Sequence, residues 1–172
     1  ENGKNGENSL YDADDLGNPN AEAFRVLRTN IEMSQVDRPL KTILVTSAGS
    51  GDGKTSVAAN LALSIAQREK VVILLDADLR RPNIHEYFGL ANDRGLLDLI
   101  SGEAAISDAL QIKKVAVITS GGTPPNPAEL LSSEKMDQLL AKLAGAADVV
   151  IIDGPPFLVA DAMVLAAKVD GV

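Results

Sequence analysis

The chain has 172 residues, the length of one domain, and is 45% hydrophobic with only 3% aromatic residues, so aliphatic side chains must build its core. It contains no cysteine, which excludes disulfide frameworks and thiolate metal sites, and its net charge of −8 argues against sequence-independent nucleic-acid binding. No apolar run approaches membrane-spanning length and no signal peptide is visible. The first residue is Glu1 and the last stretch is "AAKVDGV", so both ends read as cut from something longer.

Residues 1–19 are rich in Gly, Asn and acids and are expected to form a flexible leader or linker ahead of a domain spanning 20–172. In "AEAFRVLRTNIEMS" the spacing of Phe24, Leu27 and Ile31 predicts a helix with those side chains turned into the domain, ended by "DRP" at 37–39. "KTILVTS" is a short apolar run suited to a buried strand, and "KTSVAANLALSIAQRE" is a helix opening directly from the glycine-rich loop after it. "KVVILLDAD" is a second buried strand. "RGLLDLIS" and "ISDALQ" predict short helices, and "VAVITSG" a third strand. "PPNP" is a rigid turn leading into "AELLSSEKMDQLLAKLAG", one long helix or two abutting ones. "ADVVIIDGPP" is a fourth strand ending at an acid, "ADAMVLAAK" is helical, and "VDGV" reads as the opening of a fifth strand. Strand and helix alternate at the spacing of crossover units, which predicts an α/β fold: a three-layer sandwich around a mainly parallel sheet.

The loop "SAGSGDGKTS" at 47–56 solves a physical problem. Phosphate oxygens are dense negative charge and need several short N–H donors. Gly49, Gly51 and Gly53 let the backbone bend into a concave nest. Ser50, Asp52 and Ser56 complete the loop, and the helix that starts there adds free amides and its positive end. Lys54 reaches toward the outer phosphates, and the Thr55 hydroxyl suits Mg²⁺. The usual spacing puts a glycine at 48, where Ala48 stands. The order strand, loop, helix outweighs that mismatch against the alternative of a turn that binds nothing.

Asp76 and Asp78 lie just past a buried strand, and Asp153 ends another. Ligands of open α/β sheets bind beyond the carboxyl ends of the strands, so all three acids are expected near the loop. Asp153 has the setting of a magnesium-supporting acid. Taken singly, each acid also suits a helix cap.

Together these stretches resemble the bacterial tyrosine kinases of the polysaccharide co-polymerase system, within the Min/Par-type P-loop ATPases. The resemblance runs from about residue 19 to the end. The loop at 47–55 is similar to the family's Walker A, "LLDADLRRP" to its Walker A′, "VVIIDGPP" to its Walker B, and "GGTPPNPAELL" to a turn that leads into a helix. Glu22, Arg25 and Arg28 in "EAFRVLR" match its E-x-x-R-x-x-R element.

The resemblance implies a P-loop NTPase fold, ATP and Mg²⁺ as cofactors, and autophosphorylation of tyrosine. It implies that Lys54 holds phosphates, that Thr55, Asp78 and Asp153 manage the metal, and that Asp76 orients or deprotonates the tyrosine hydroxyl. Arg80 would contact phosphate or a neighbouring subunit. Glu22, Arg25 and Arg28 would mediate a homo-oligomer such as a ring; spacing alone would read them as a solvated helix face. The implied partner is a transmembrane chain-length regulator of polysaccharide export, fused or separate. That would place the domain in the cytoplasm at the inner face of the membrane.

The family's acceptor tyrosines cluster near the C-terminus, whereas this chain has only Tyr11 and Tyr87. The tail is expected beyond residue 172 or absent, with the domain truncated at that end. Tyr11 falls in the leader, and Tyr87 is expected to pack beside Phe88. The single histidine, His85, suits packing in a short helix, Lys113–Lys114 a solvated pair, and Asp161 a helix cap close to the Walker B loop. Two other functions compete with the kinase: a Min/Par-type ATPase acting as a switch, and a nucleotide-gated scaffold without catalysis. The first usually has a lysine where Gly49 stands.

Overall fold

A computed structural model describes residues 10–11, 18–34, 39–112 and 114–172. Helix α1 (Pro19–Ser34) precedes strand β1 (Thr42–Val45), the glycine loop and helix α2 (Lys54–Ala66). Strand β2 (Val72–Asp76) leads to short helices α3 (Ile84–Phe88), α4 (Leu96–Ser101) and α5 (Ile106–Ala109). Strands β3 (Leu110–Ile112) and β4 (Ala116–Ile118) follow, then α6 (Pro127–Ser132), α7 (Glu134–Ala146), β5 (Val149–Asp153) and α8 (Ala160–Ala166).

The five strands lie in the order β1-β5-β2-β4-β3, parallel except where β3 pairs antiparallel with β4 at the edge. The central strands are apolar on both faces because both are covered. Leu74, Val117 and Ile151 pack with Ala58, Leu61 and Ile65 of α2 and with Ile84 of α3. Leu75, Ile118 and Ile152 pack with Leu96, Leu131, Met136 and Leu143 of the other helices. The expected three-layer α/β sandwich is therefore the observed one.

Several boundaries differ from expectation. The helix expected over "ISDALQ" ends at Ala109, and Leu110 and Gln111 belong instead to β3, a three-residue edge strand with an exposed Ile112 and no clear alternation. The long stretch after "PPNP" is two helices: Ser133, extended at φ −65° and ψ 153°, ends α6 and caps α7 by accepting from the Met136 amide. Gly171 makes a parallel bridge with Ile43, the beginning of the strand expected at "VDGV".

On α1, Ala21, Phe24 and Ile31 face inward as a helical stripe, but Leu27 is 37% exposed. Arg28 takes the inward position instead and is 8% exposed. Its Nη1 donates to the Ser64 carbonyl of α2 at 2.5 Å, so the guanidinium closes a free acceptor on a neighbouring helix. The expected stripe of Glu22, Arg25 and Arg28 is thus divided. Glu22 and Arg25 pair at 2.7 Å on the outer face, while Arg28 braces α1 against α2.

Of the expected leader, residues 1–9 and 12–17 lie outside the described residues, as do 35–38 and Lys113. Leu10 and Tyr11 are described, and they sit on the folded body. The Tyr11 amide donates to Asn60 Oδ1 at 2.8 Å, and its ring lies 6.0 Å from that of Phe24.

Candidate active site

The site arises from strand order. β5 lies between β1 and β2, and the register sets Asp153 beside Val45 on one side and Asp76 on the other. The loop after β1 and the acids ending β5 and β2 therefore meet at one end of the sheet. Ala77 N donates to Asp153 O at 2.9 Å, which ties the strand ends together.

Gly51 and Gly53 have φ of 87° and 84°, conformations that a side chain would strain. The loop closes on itself: Gly49 N donates to Asp52 Oδ2 at 2.7 Å, and Ser47 Oγ donates to Gly49 O at 2.6 Å. Gly53 precedes α2 and has no side chain to cap it. The first intrahelical bond runs from Val57 N to Gly53 O, so the Lys54, Thr55 and Ser56 amides come before it, available to an anion.

A cleft of about 640 Å³ opens over this turn, lined by residues 50–56, Asp78, Arg81, Pro82, Asn83 and Tyr87. Lys54 is 8% exposed and its Nζ is 3.9 Å from Asp78 Oδ2. Arg81 Nη1 donates to Ser50 Oγ at 3.2 Å across the cleft. The turn that carries Asp78 closes on it, with Arg81 N donating to Asp78 Oδ1 at 3.1 Å.

Asp153 is fully buried. Its Oδ2 accepts from Thr55 Oγ1 at 2.6 Å, and its Oδ1 has no hydrogen-bond partner. Burial pushes its carboxyl up to about 7, against the opposing pull of the Thr55 bond and the Lys54 charge. Asp76 is equally buried. Its Oδ2 accepts from the Asn83 and Ile84 amides at 3.1 and 3.0 Å, and its Oδ1 is also unpartnered. Burial first, and then the Asp153 charge, raise its pKa well above the ordinary carboxylate range.

Two buried carboxylates, each with an oxygen lacking a hydrogen-bond partner, and a threonine hydroxyl bonded to one of them are hard oxygen donors of the kind that suit a cation. Among the described residues no group of three or more His, Cys, Asp or Glu side chains forms a metal cage by itself. These oxygen groups fit a hard cation such as Mg²⁺ shared with phosphate oxygens.

Residues 39–170 match a family described as "ParA: NUBPL iron-transfer P-loop NTPase". Tyrosine-protein kinase YwqD of Bacillus subtilis is 47% identical over 88% of this chain and 66% of its own length. Putative tyrosine-protein kinase CapB of Staphylococcus aureus is 37% identical over 91% of this chain and 71% of its own. The chain belongs to the bacterial tyrosine-protein kinases. It thus spans just under two thirds of YwqD. The kinase domain of Escherichia coli tyrosine kinase ETK superposes with a TM-score of 0.88 at 36% identity, covering 94% of this chain and 65% of that one. The septum site-determining protein MinD from Pyrococcus horikoshii, complexed with Mg-ADP, has a TM-score of 0.64 at 26% identity, covering 76% of this chain and 55% of that one. The Min-type likeness is thus one of fold.

Within this kinase-family domain the structure brings the 49–56 loop, Asp76, Asp78 and Asp153 together, and leaves Glu22, Arg25 and Arg28 on α1, outside the cleft lining. Two contacts were missed from sequence. Arg81 reaches Ser50, and Arg80 pairs with Asp161 through Nε–Oδ2 at 2.6 Å, a bond that raises the guanidinium pKa. Tyr87 is half-buried and lines the cleft. Long-range pairs of this kind leave no periodic trace in the sequence.

Proposed function

We propose that this domain binds ATP with Mg²⁺ and transfers the γ-phosphoryl group to tyrosine in its own polypeptide, as a regulator of capsular or exopolysaccharide synthesis and export. The observation that carries this reading is the Lys54–Asp78 contact at 3.9 Å over an uncapped helix start, with the open oxygens of Asp76 and Asp153 behind it. Amides 54–56 and the loop hold phosphate oxygens, and Lys54 neutralises charge on the outer phosphates. Bound magnesium would supply positive charge against the phosphates. Thr55, Asp78 and Asp153 hold it, directly or through water.

Of the two Walker A′ acids, Asp78 lines the cleft beside Lys54, where it would serve the metal. Asp76, which the resemblance assigns to orienting or deprotonating the tyrosine hydroxyl, is buried, with Oδ2 held by the Asn83 and Ile84 amides and Oδ1 open. The domain is taken as 20–172, and α1 starts at Pro19. The Glu22–Arg25 pair and the exposed Val26 and Met33 leave α1 able to contact a second copy, with Arg28 holding that helix in place. A transmembrane co-polymerase partner would set the domain at the inner membrane face. Among the described residues no helix is long and apolar enough to cross a membrane.

The test is incubation of the full chain, together with a tyrosine-rich acceptor peptide, with γ-labelled ATP and Mg²⁺. Phosphotyrosine that falls by roughly 100-fold or more with Lys54→Met supports the proposal. Release of free phosphate without labelled tyrosine would assign a switch ATPase instead.

A further inference from the structure

Arg80 follows Asp78 in the turn beyond β2, and its guanidinium makes two bonds with Asp161. Nε donates to Oδ2 at 2.6 Å and Nη2 donates to Oδ1 at 3.1 Å. Asp161, in the first turn of α8, is 1% exposed, whereas the Arg80 side chain is 47% exposed. A carboxylate taken out of water needs a partner, and a two-pronged arginine fixes angle as well as distance. Neither residue lines the cleft.

The pair joins loops that each carry one part of the site. On one side Arg80 lies inside the turn closed by Arg81 N on Asp78 O at 3.2 Å. On the other, Asp161 terminates the loop that begins at Asp153. That loop is fastened to the end of β1 and the start of the glycine loop at three points: Gly154 N to Val45 O at 3.0 Å, Phe157 N to Ser47 O at 2.8 Å, and Thr46 Oγ1 to Pro155 O at 2.7 Å. One ion pair outside the cleft thus closes a circuit through Lys54, Asp78 and Asp153.

We propose that Arg80 and Asp161 are positioning residues, a clamp that sets Asp78 against Lys54 and the metal-bearing side of the nucleotide. This rests on the nucleotide-binding reading above and names what holds its acids in register. Arg80 is committed to Asp161 rather than to phosphate, and Asp161 does more than begin a helix. If the pair only fastened α8 to the sheet, breaking it would lower stability and leave metal-dependent binding alone.

The experiment compares Asp161→Asn, Arg80→Ala and the double variant with the parent chain. ADP affinity is measured by calorimetry in EDTA and in Mg²⁺, and hydrogen exchange is followed at the Arg81 amide without nucleotide. The clamp predicts that each single variant keeps its ADP affinity in EDTA within about twofold. Each loses at least fivefold of the gain that Mg²⁺ adds, and each exchanges the Arg81 amide faster. The double variant should lose no more than either single one, because both break the same link. An unchanged Mg²⁺ gain overturns the proposal whatever the Arg81 exchange, as do losses that multiply in the double variant. If Asp161→Asn does not fold, Arg80→Ala, on the half-exposed partner, carries the same measurements. A parent chain with no ADP affinity at all refutes the nucleotide reading instead, and Arg81 exchange then decides whether the clamp exists.

Discussion

Asp153 has one oxygen on Thr55 and the other facing nothing, in a position without water access. Without metal its carboxyl keeps a proton up to about pH 7 in the folded chain, whereas an unfolded carboxyl releases it near pH ~4. Unfolding between those values therefore releases a proton, so stability falls as pH rises through the window and levels off above it. The raised carboxyl of Asp76 adds to the same slope. We expect the melting temperature of the metal-free chain to drop between pH 5 and pH 8, from a loss on the order of 2–4 kcal/mol. Asp153→Asn should flatten much of that drop, as thermal melts across the range would show. Mg·ADP selects the ionised carboxylates, so it should raise the melting temperature more at pH 8 than at pH 6. A second residue-scale expectation concerns Arg28. Arg28→Ala removes a charged donor from the Ser64 carbonyl and should cost about 2 kcal/mol in a denaturant melt. Glu22→Ala removes only an outer (i, i+3) pair and should cost less than about 0.5 kcal/mol.

Among the elements, the start of α4 shows how closely two segments approach. A Cβ on Gly95 would lie 2.2 Å from the Thr119 carbonyl oxygen and 2.4 Å from the Gly121 amide nitrogen. The Leu96 and Leu97 amides bond to Thr119 O and Ser120 O at 2.8 and 2.9 Å, so the clash falls on backbone held in place. Gly95→Ala should therefore destabilise by about 3 kcal/mol or more, measured by chemical denaturation, while Gly145→Ala, whose Cβ meets nothing, should be neutral or slightly stabilising. Nothing in the local sequence marks Gly95, since its constraint comes from a strand end distant in the chain. The same limit governs what was legible elsewhere. The glycine loop, β2, β5 and α2 were readable because burial on both faces and the phosphate motif are written locally. On α1 the helix and the inward Phe24 and Ile31 were readable, but the exchange of Leu27 for Arg28 on that face was not. An arginine normally marks the wet side of a helix, and only the open Ser64 carbonyl on α2 turns Arg28 inward. Asp76 and Asp153 could be placed near the loop from strand logic, but the Arg80–Asp161 pair depends on how α8 returns over the β2 turn.

At the scale of the whole molecule, the leader was expected to be flexible, and Leu10–Tyr11 shows where at least part of it rests. Tyr11 meets Asn60, whose Nδ2 donates to Ser56 O at 2.8 Å in the first turn of α2. The path from this contact to the phosphate-binding amides is thus one side chain long. Asn60→Ala should release Tyr11 and weaken ADP binding severalfold, whereas Tyr11→Phe should leave both unchanged, because the bond comes from the backbone amide. Limited proteolysis ahead of α1 and calorimetry would read the two effects.

The strand order has a further consequence for how the molecule comes into being. β1 and β2 leave the ribosome early, yet they never touch, because the slot between them belongs to a strand synthesised long afterwards. Until Val149–Asp153 emerges, the phosphate turn and the first two acids face each other across a gap that no local pairing can close. We therefore expect nascent chains that lack Val149–Asp153 not to hold nucleotide, because β1 and β2 have no strand to set them side by side. Stalled intermediates arrested before that point should show neither protease protection of β1 nor retention on ADP resin, and those released beyond α8 should show both.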